Sequence, residues 1–371
     1  MFHILIINFT QIMRNIANEK LKKKIKNIIV NQGPIDLSMF IEICLHDNDF
    51  GYYSLNNQVI GEKGDFTTAP EISQVFGELI ALNLFDNFKN SKINKINLVE
   101  LGPGKGTLMN DILSTFDKIK NNNISINSLL FEKSSHLKVL QEKNLLHHKC
   151  KWIKNINEIP NLPTYFIANE FFDALPINQV ISKGGLWYER KIDLKDDNLF
   201  FSSGKMIANQ PKENPYPDGK VLEERPETKK IIKIILEIIM KNEGSLLIID
   251  YGQTNEKILN SNSIQCIKDH KVSSIFENLG TTDISSWVNF SDIINSLPKN
   301  INIQGPITQR EYLINLGIKD RFEKLGKNKS SIIRRSLFAD FERLVSNSYM
   351  GQAFKVMVLS SKKLSQFTGF N

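Results

Sequence analysis

The sequence predicts an α/β fold that opens like a doubly wound nucleotide-binding sheet. The first observation is the apolar run Asn97–Leu101, which indicates a buried strand and leads directly into the glycine turn GPGKGT. The second is the helical stripe behind this turn, formed by Leu108, Ile112, Leu113 and Phe116. Strand, tight glycine turn and helix in this order are typical of a Rossmann-like domain. The third is the 41% apolar fraction of the 371 residues, which is ordinary for a folded protein with a full core.

The beginning of the chain is predicted to be helical. Apolar residues recur at helical spacing over residues 13–30 and stop before Gly33, and a second helix is expected over Met39–Leu45. Residues 1–12 lack the basic stretch and the cleavage site of a secretory signal. They are interpreted as a short arm, or as residues upstream of a true start at Met13.

A long ordered loop is expected over residues 46–73, where the pattern becomes irregular and rich in glycine. Loops of that length are more often functional than idle. A helix is predicted to follow over residues 71–88. We therefore assign residues 13–90 to an N-terminal helical and loop region, and residues 91–371 to the main α/β domain.

Five further strands are predicted after the glycine turn: Ser128–Phe131, Lys151–Ile153, Tyr165–Ala168, Gly244–Asp250 and Phe354–Leu359. Between the fourth and fifth strands of the domain lies an insertion over about residues 177–242, with a hairpin-like patch and a proline-rich stretch. We expect this insertion to form a smaller lobe over the carboxyl edge of the sheet.

Charge and cysteine content exclude several classes of protein. The formal charge of +7 comes from scattered lysines, and the densest basic run, Lys20–Lys26, has no stacking aromatic residue, so no nucleic-acid partner is expected. Cys44, Cys150 and Cys266 lie far apart without a CxxC pair, which favours a reducing compartment and predicts no metal site. No apolar run reaches the ~18 to 20 residues of a membrane span, so a soluble protein is expected.

The glycine turn differs from both common phosphate loops. It lacks the Ser or Thr that follows the lysine of a Walker A loop, and its third glycine comes one residue too early for G-x-G-x-x-G. What remains is an acidic strand end, Glu100, followed by Gly102, Gly104 and Gly106. This pattern suits a ligand without a pyrophosphate, whose adenosine and amino-acid tail approach the backbone where a Cβ would collide.

A second acidic residue supports a cofactor site. Glu132 closes the next strand, where such folds place an acidic residue against ribose hydroxyls. The alternative is a plain strand-ending turn with a solvated Glu132. We favour the first interpretation, and the predicted cofactor is S-adenosylmethionine.

A candidate acceptor site follows the fourth strand, in the run NEFFDALP. Asn169 ends the strand beside the switch point at which open α/β sheets bind ligands. Glu170 and Asp173 could grip a guanidinium bidentately and accept its proton as a C–N bond forms. The alternative is a helix-capping Asp and a surface Glu.

Six segments together resemble the MidA family of class I methyltransferases, and in chain order they are GDFTTAPEISQVFGELIA (64–81), LVELGPGKGTLMNDIL (98–113), NEFFDALPINQ (169–179), EERPE (223–227), IIDYG (248–252) and KDHKVSSIFENLGTTDIS (268–285). The similarity extends over nearly the whole chain. It implies a seven-stranded Rossmann-like sheet with an N-terminal helical extension and an inserted smaller lobe. It also implies a protein arginine ω-N-methyltransferase that symmetrically dimethylates a subunit of the quinone-side arm of NADH dehydrogenase during complex I assembly.

The resemblance adds further candidate residues. Thr68–Glu71 match a family signature, as does Asp250, although a capped helix start and a plain loop residue would explain them equally. His270 becomes a third candidate catalytic residue, but a lone His is more often a satisfied hydrogen bonder. Lys105 departs from the Arg expected in many relatives and keeps its charge.

Other functions are weighed against this one. A nicotinamide dehydrogenase is disfavoured by the misplaced third glycine, and a noncatalytic assembly chaperone by the intact glycines and Glu132. A methyltransferase with another substrate is left open, as is a homodimer. Bacterial cytoplasm is expected in preference to the mitochondrial matrix, because no Arg- and Ser-rich presequence is present.

Overall fold

The computed structural model describes residues 2–55, 67–88, 93–119, 124–208, 217–254, 262–268, 271–361 and 367–370, with side chains from residue 12 onward. The chain divides into two compact units, each made of three segments. Unit 1 comprises residues 1–59, 174–230 and 255–287, and unit 2 comprises residues 60–173, 231–254 and 288–371.

The described strands are β1 Ile35–Asp36, β2 Lys95–Leu101, β3 Ser125–Phe131, β4 Cys150–Ile153, β5 Thr164–Asn169, β6 Asn178–Lys183, β7 Leu186–Lys195, β8 Asn198–Met206, β9 Val221–Glu224, β10 Gly244–Gln253, β11 Ile264–Lys268, β12 Lys271–Val272, β13 Asp283–Ser286, β14 Val288–Asn289, β15 Asn302–Thr308 and β16 Phe354–Ser360. The described helices are Phe2–Gln32, Leu37–His46, Tyr52–Leu55, Ala69–Ile72, Gln74–Phe88, Thr107–Lys118, Ser135–Asn144, Pro226–Asn242, Phe290–Asn295, Gln309–Asn315, Ile318–Gly326, Ser331–Val345 and Met350–Ala353, with a 3₁₀ turn at Ile156–Glu158.

Unit 2 is built on a large sheet with the strand order β15-β16-β10-β5-β2-β3-β4. The five strands from β10 to β4 run parallel, and β16 lies antiparallel between β10 and β15. Short β14 also pairs with β10. The predicted seven-stranded Rossmann-like sheet is therefore confirmed, with β14 as an extra pairing.

The order of this sheet places the functional segments at one edge. The order in which successive strands join the sheet reverses at β2. Strands β3 and β4 lie on one side of β2, and β5 and β10 lie on the other. Because parallel strands end at the same edge, the segments after β2, β3, β5 and β10 meet there, which is where open α/β sheets bind ligands. Strands β2, β5 and β10 are mainly apolar and buried, as two covered faces require.

Helices pack on the sheet of unit 2, and an apolar core lies between them and the sheet. Helix Thr107–Lys118 packs along helix Gln74–Phe88, and the core between helices and sheet includes Phe76, Ile112 and Tyr165. The core continues into the three helices of residues 309–345.

Unit 1 contains two smaller sheets and the long N-terminal helix. Strands β1, β7, β6 and β9 form an antiparallel sheet in that order, with β8 paired to β7, and β12, β11 and β13 form a second sheet. The expected hairpin around Trp187 is present as the β6–β7 pair.

Several boundaries predicted from the sequence were wrong. The first helix begins at Phe2 instead of residue 13. The predicted loop 46–73 contains two short helices, and the predicted helix 71–88 is broken at Ser73, whose extended backbone separates Ala69–Ile72 from Gln74–Phe88. The domain division into residues 1–12, 13–90 and 91–371 stays a prediction; the two compact units follow other boundaries. Within the part of the chain that the structure describes, no helix has the length and apolarity to span a bilayer.

Candidate active site

The glycine loop, Gly102–Gly106, follows β2 and begins helix Thr107–Lys118. Gly102, Gly104 and Gly106 all have left-handed backbones, with φ of 60°, 53° and 81°. A Cβ on Gly102 would lie 2.8 Å from Cδ2 of Phe171. A side chain at Gly102 would therefore be strained both by its backbone and by the neighbouring ring.

Two buried oxygens lie at the carboxyl ends of neighbouring strands. Glu100 in β2 is 3% exposed, and burial, with the charges of Asp111 and Glu132, raises its pKa to about 8. One of its oxygens accepts from the backbone N–H of Met109, whereas Oε2 has no hydrogen-bond partner among the described residues. The Oδ1 atom of Asn169, at the end of β5, is also buried without a hydrogen-bond partner among the described residues. Because buried acceptors are normally paired, these two atoms can take donors from a bound ligand.

Glu132 is held in place by a glutamine that the sequence analysis missed. Gln141 is fully buried, and its Nε2 donates to Oε2 of Glu132 at 3.0 Å and to the carbonyl of Gly104 at 2.8 Å. Its Oε1 accepts from Nε1 of Trp152 at 2.7 Å. The other oxygen of Glu132 accepts from the backbone N–H of Ser134 at 2.7 Å, and burial raises the pKa of Glu132. One side chain thus joins the glycine loop to the end of β3.

Glu71 also contacts the glycine-loop region. Its carboxylate pairs with Nζ of Lys105 at 3.0 Å and accepts a hydrogen bond from the hydroxyl of Thr107. The backbone N–H of Ala69, two residues earlier, donates to Oε1 of Glu170 at 3.2 Å. The sequence had indicated only a capped helix start or a family signature at this segment.

The Glu170–Asp173 turn, which follows β5, is organised by Asp250 at the end of β10. Oδ2 of Asp250 accepts from the backbone N–H groups of Phe171 and Phe172, at 3.2 and 2.9 Å, and Oδ1 accepts from that of Tyr251 at 2.9 Å. Glu170 has a left-handed backbone with φ of 51°, which is uncommon for a residue other than glycine. Asp250 is thus a structural support of the turn, and not a plain loop residue.

Three carboxyl groups meet at this turn. Burial raises the pKa of Asp250 well above its ordinary value, and the charges of Asp173 and Glu170 raise it further. Asp250 is fully buried, whereas Glu170 and Asp173 are half-buried. The negative potential at the end of β5 favours a cationic ligand.

The structure brings most of the predicted site residues to one edge of the unit 2 sheet. The residues predicted to bind the cofactor lie at or just after the ends of β2, β3 and β5: Glu100, Gly102, Gly104, Gly106, Glu132 and Asn169. Glu170 and Asp173 follow β5 directly. His270 lies outside the described residues, so its catalytic role stays a prediction, as do the roles of the others.

Comparisons with known proteins agree with this geometry. A family model for S-adenosyl-L-methionine-dependent methyltransferases matches residues 79–307. A Caenorhabditis elegans protein named "Protein arginine methyltransferase NDUFAF7 homolog, mitochondrial" is 33% identical over 93% of this chain and 87% of its own length. The human "Protein arginine methyltransferase NDUFAF7, mitochondrial" is 28% identical over 89% of this chain and 81% of its own length.

A solved structure supports the fold. A Burkholderia thailandensis protein of the COG1565 superfamily, crystallised with S-adenosyl-homocysteine, superposes with a TM-score of 0.80, at 21% identity, over 96% of this chain and 95% of that one. A native crystal structure of a COG1565 superfamily protein from the same organism gives a TM-score of 0.78 at 20% identity, over 96% of this chain and 95% of that one.

The sheet order, the glycine loop after β2 and the matched family model together define an S-adenosylmethionine-dependent methyltransferase. Within that class, the chain belongs to the MidA-like family of methyltransferases that this model describes. The cofactor and the family predicted from the sequence are confirmed.

Proposed function

We propose that this chain is a protein arginine N-methyltransferase that uses the edge of the unit 2 sheet as its active site. The observation that carries the proposal is the carboxyl cluster of Glu170, Asp173 and Asp250. It combines a raised pKa at Asp250 with two half-buried carboxyl groups on one turn. The names of relatives about 30% identical over nearly the whole chain support the same acceptor.

The cofactor pocket proposed here consists of Glu100, the glycine loop, Glu132 and Asn169. Gly102 has no Cβ where one would meet Phe171, and Glu100 and Asn169 each keep a buried oxygen that can accept from a ligand donor. Glu132, already oriented by Gln141, is positioned to accept from ribose hydroxyls. S-adenosylmethionine, when bound, would supply an electrophilic methyl group: the acceptor nitrogen provides the electron pair of the new C–N bond, and sulfur keeps the pair of the broken C–S bond and leaves as the thioether of S-adenosylhomocysteine.

The acceptor must lose a proton as it is methylated. A guanidinium is protonated in water because its pKa lies far above neutral pH. Glu170 and Asp173 would hold it through charge-assisted, bidentate hydrogen bonds and localise its charge away from the attacking nitrogen. The proton released as the C–N bond forms would pass to one of these carboxylates. Asp250, whose oxygens already accept from three backbone N–H groups, would keep the turn in shape.

The particular substrate and the type of methylation are proposed from the family resemblance. It implies symmetric dimethylation of an arginine in a quinone-side subunit of NADH dehydrogenase during complex I assembly. Amino-acid analysis of that subunit after incubation with the enzyme and labelled cofactor tests this: symmetric dimethylarginine is expected, and labelled monomethylarginine alone would contradict the dimethylation.

The compartment is also a proposal. We propose the bacterial cytoplasm, with the mitochondrial matrix as the alternative, which agrees with the word "mitochondrial" in the names of the relatives. Cell fractionation followed by immunodetection separates the two.

Transfer of a radiolabelled methyl group to arginine peptides tests the activity. With Glu170→Gln and Asp173→Asn, kcat should fall by about 10²- to 10⁴-fold, the range of a lost general base, while S-adenosylhomocysteine affinity stays near that of wild type. Glu323→Gln is the control, since this exposed side chain lies on helix Ile318–Gly326. Transfer by either site variant at the wild-type rate would remove the carboxyl cluster from the mechanism.

A further inference from the structure

A short segment, Thr68–Ile72, is bonded to both proposed halves of the active site; we call it the strap. At its start, the backbone N–H of Ala69 donates to Oε1 of Glu170 at 3.2 Å. Near its end, Glu71 pairs with Nζ of Lys105 at 3.0 Å and accepts from the hydroxyl of Thr107. The three residues Ala69–Glu71 thus connect the Glu170–Asp173 turn to the glycine loop.

The ion pair and the hydrogen bond that Glu71 forms can hold the glycine loop in position. The Glu71 and Lys105 side chains are 16% and 27% exposed, so water screens their attraction less than on an open surface. Their hydrogen bond is charge-assisted, which makes it stronger than a neutral one. Lys105 and Thr107 flank Gly106, whose left-handed backbone begins helix Thr107–Lys118. Glu71 therefore restrains the loop on both sides of its last glycine.

The strap itself is stiff. Pro70 stands in the first turn of helix Ala69–Ile72, where its fixed φ suits the helix, and Ala69 and Pro70 are both buried. A displacement at one end of so short and packed a segment is transmitted to the other end. Binding energy at the glycine loop can therefore bias the geometry at Glu170.

We propose that Glu71 is a positioning residue that holds the glycine loop for the cofactor and, through the strap, couples cofactor binding to the ordering of the Glu170–Asp173 turn. The importance of that turn to the acceptor rests on the proposed function. The coupling itself concerns only the cofactor and this chain, so it can be tested whether or not arginine is the acceptor.

The first test is calorimetric titration of S-adenosylhomocysteine into the full-length protein. Glu71→Gln and Lys105→Met should each weaken binding by about tenfold, as expected for one charge-assisted hydrogen bond. The double variant should bind no more weakly than the single ones, since both remove the same ion pair. Glu311→Gln is the matched control, because this glutamate also accepts from a threonine hydroxyl and a backbone N–H at a helix start in unit 2.

The second test is amide hydrogen exchange of the glycine loop and of residues 169–173, with and without saturating S-adenosylhomocysteine. In wild type and Glu311→Gln, the ligand should slow exchange in both segments. The Glu71→Gln variant is saturated with a correspondingly higher concentration of S-adenosylhomocysteine. In this variant the ligand should no longer protect residues 169–173, while it still protects the glycine loop. A residue that only stabilises the fold would not separate the two segments in this way.

The two variants guard against misfolding. If Glu71→Gln does not fold, Lys105→Met probes the same ion pair from the loop. Ligand affinity within twofold of wild type in a folded variant, or protection that still reaches residues 169–173 without the Glu71 carboxylate, would overturn the proposal. A wild-type protein that shows the coupling but does not methylate arginine would overturn the proposed function alone.

Discussion

The side chain of Gln141 connects three parts of the cofactor pocket. It bonds to the glycine loop at Gly104, to Glu132 and to Trp152, and it is fully buried. Gln141→Met keeps the volume and removes these bonds. Because Oε2 of Glu132 and the Gly104 carbonyl would then lose the donor that orients them, we expect S-adenosylhomocysteine to bind ten- to a hundredfold more weakly, at roughly 1.5 to 3 kcal/mol, as measured by calorimetry.

Gln309→Met is the control for this prediction. Gln309 is also fully buried in unit 2, and its Nε2 donates to the carbonyl of Leu344 at 2.9 Å, outside the pocket. Its replacement should lower stability and leave ligand affinity unchanged. Equal ligand affinities of Gln141→Met and wild type would contradict the role assigned to Gln141.

The carboxyl group of Asp111 predicts a pH dependence of stability. Asp111 is 6% exposed, and burial, followed by the charges of Glu78 and Glu71, raises its pKa from 3.8 to about 7. A pKa raised in the folded state means that the native protein binds this proton more tightly. The resulting stabilisation is complete below the unfolded pKa and is lost as the pH rises through about 7.

Urea unfolding of Asp111→Asn between pH 4 and 8 measures this effect. The free energy of unfolding of wild type should decrease relative to that of the variant as the pH rises from about 4 to 7, by up to about 1.4 kcal/mol per pH unit. Asp320→Asn, at an exposed position, should follow wild type at every pH. Parallel curves for wild type and Asp111→Asn would show that the native pKa is not raised.

Sequence patterns located the site residues that follow strands, since a strand end and its next residues are local features. Gln141, Asp111 and the bonds of Glu71 were missed because their contacts depend on the meeting of separate helices and loops. A glutamine in an amphipathic helix carries no local signal of burial. Asp250 was named as a motif residue, but its bonds from the backbone N–H groups of Phe171 and Phe172 can form only once β10 lies beside β5.

At the scale of elements, the helices Gln74–Phe88 and Thr107–Lys118 pack closely against each other at Gly77. A Cβ on Gly77 would lie 2.5 Å from Cβ of Asp111. Alanine favours a helix over glycine by about 1 kcal/mol, whereas overpacking a close contact costs about 1–3 kcal/mol. We therefore expect Gly77→Ala to lower the free energy of unfolding by up to about 2 kcal/mol.

The free energy of unfolding in urea shows whether overpacking outweighs helix propensity in Gly77→Ala. Leu82→Ala, on the same helix and at a position that is 45% exposed, should change stability little. A Gly77→Ala protein more stable than wild type would mean that helix propensity outweighs the collision, and that the helices can move apart without cost.

Element prediction succeeded where burial is uniform. Strands such as β2 and β10, buried on both faces, give continuous apolar runs, whereas β15 is only half-buried and was not predicted. The break at Ser73 was missed because the apolar periodicity continues on both sides of it.

On the scale of the whole molecule, the cofactor-binding sheet belongs to unit 2, and the insertion predicted over residues 177–242 contributes mainly to unit 1. Unit 1 combines the N-terminal residues with two later segments through pairs such as β1 with β7. Such pairings depend on contacts more than 100 residues apart, which neither composition nor turn residues encode. The fold class was predictable because one local motif, strand–glycine loop–helix, determines how the main sheet begins.

Calorimetric titration of S-adenosylmethionine into wild type, Gly104→Val and Glu132→Ala tests the central claim, the cofactor pocket at the ends of β2 and β3, most directly. Gly184→Val is the control, because Gly184 has a left-handed backbone, with φ of 58°, in the β6–β7 turn of unit 1. We predict micromolar binding to wild type and the control, at about −8 kcal/mol, and its loss in both pocket variants. A folded wild-type protein that does not bind the cofactor, or pocket variants that bind it like wild type, would contradict the account.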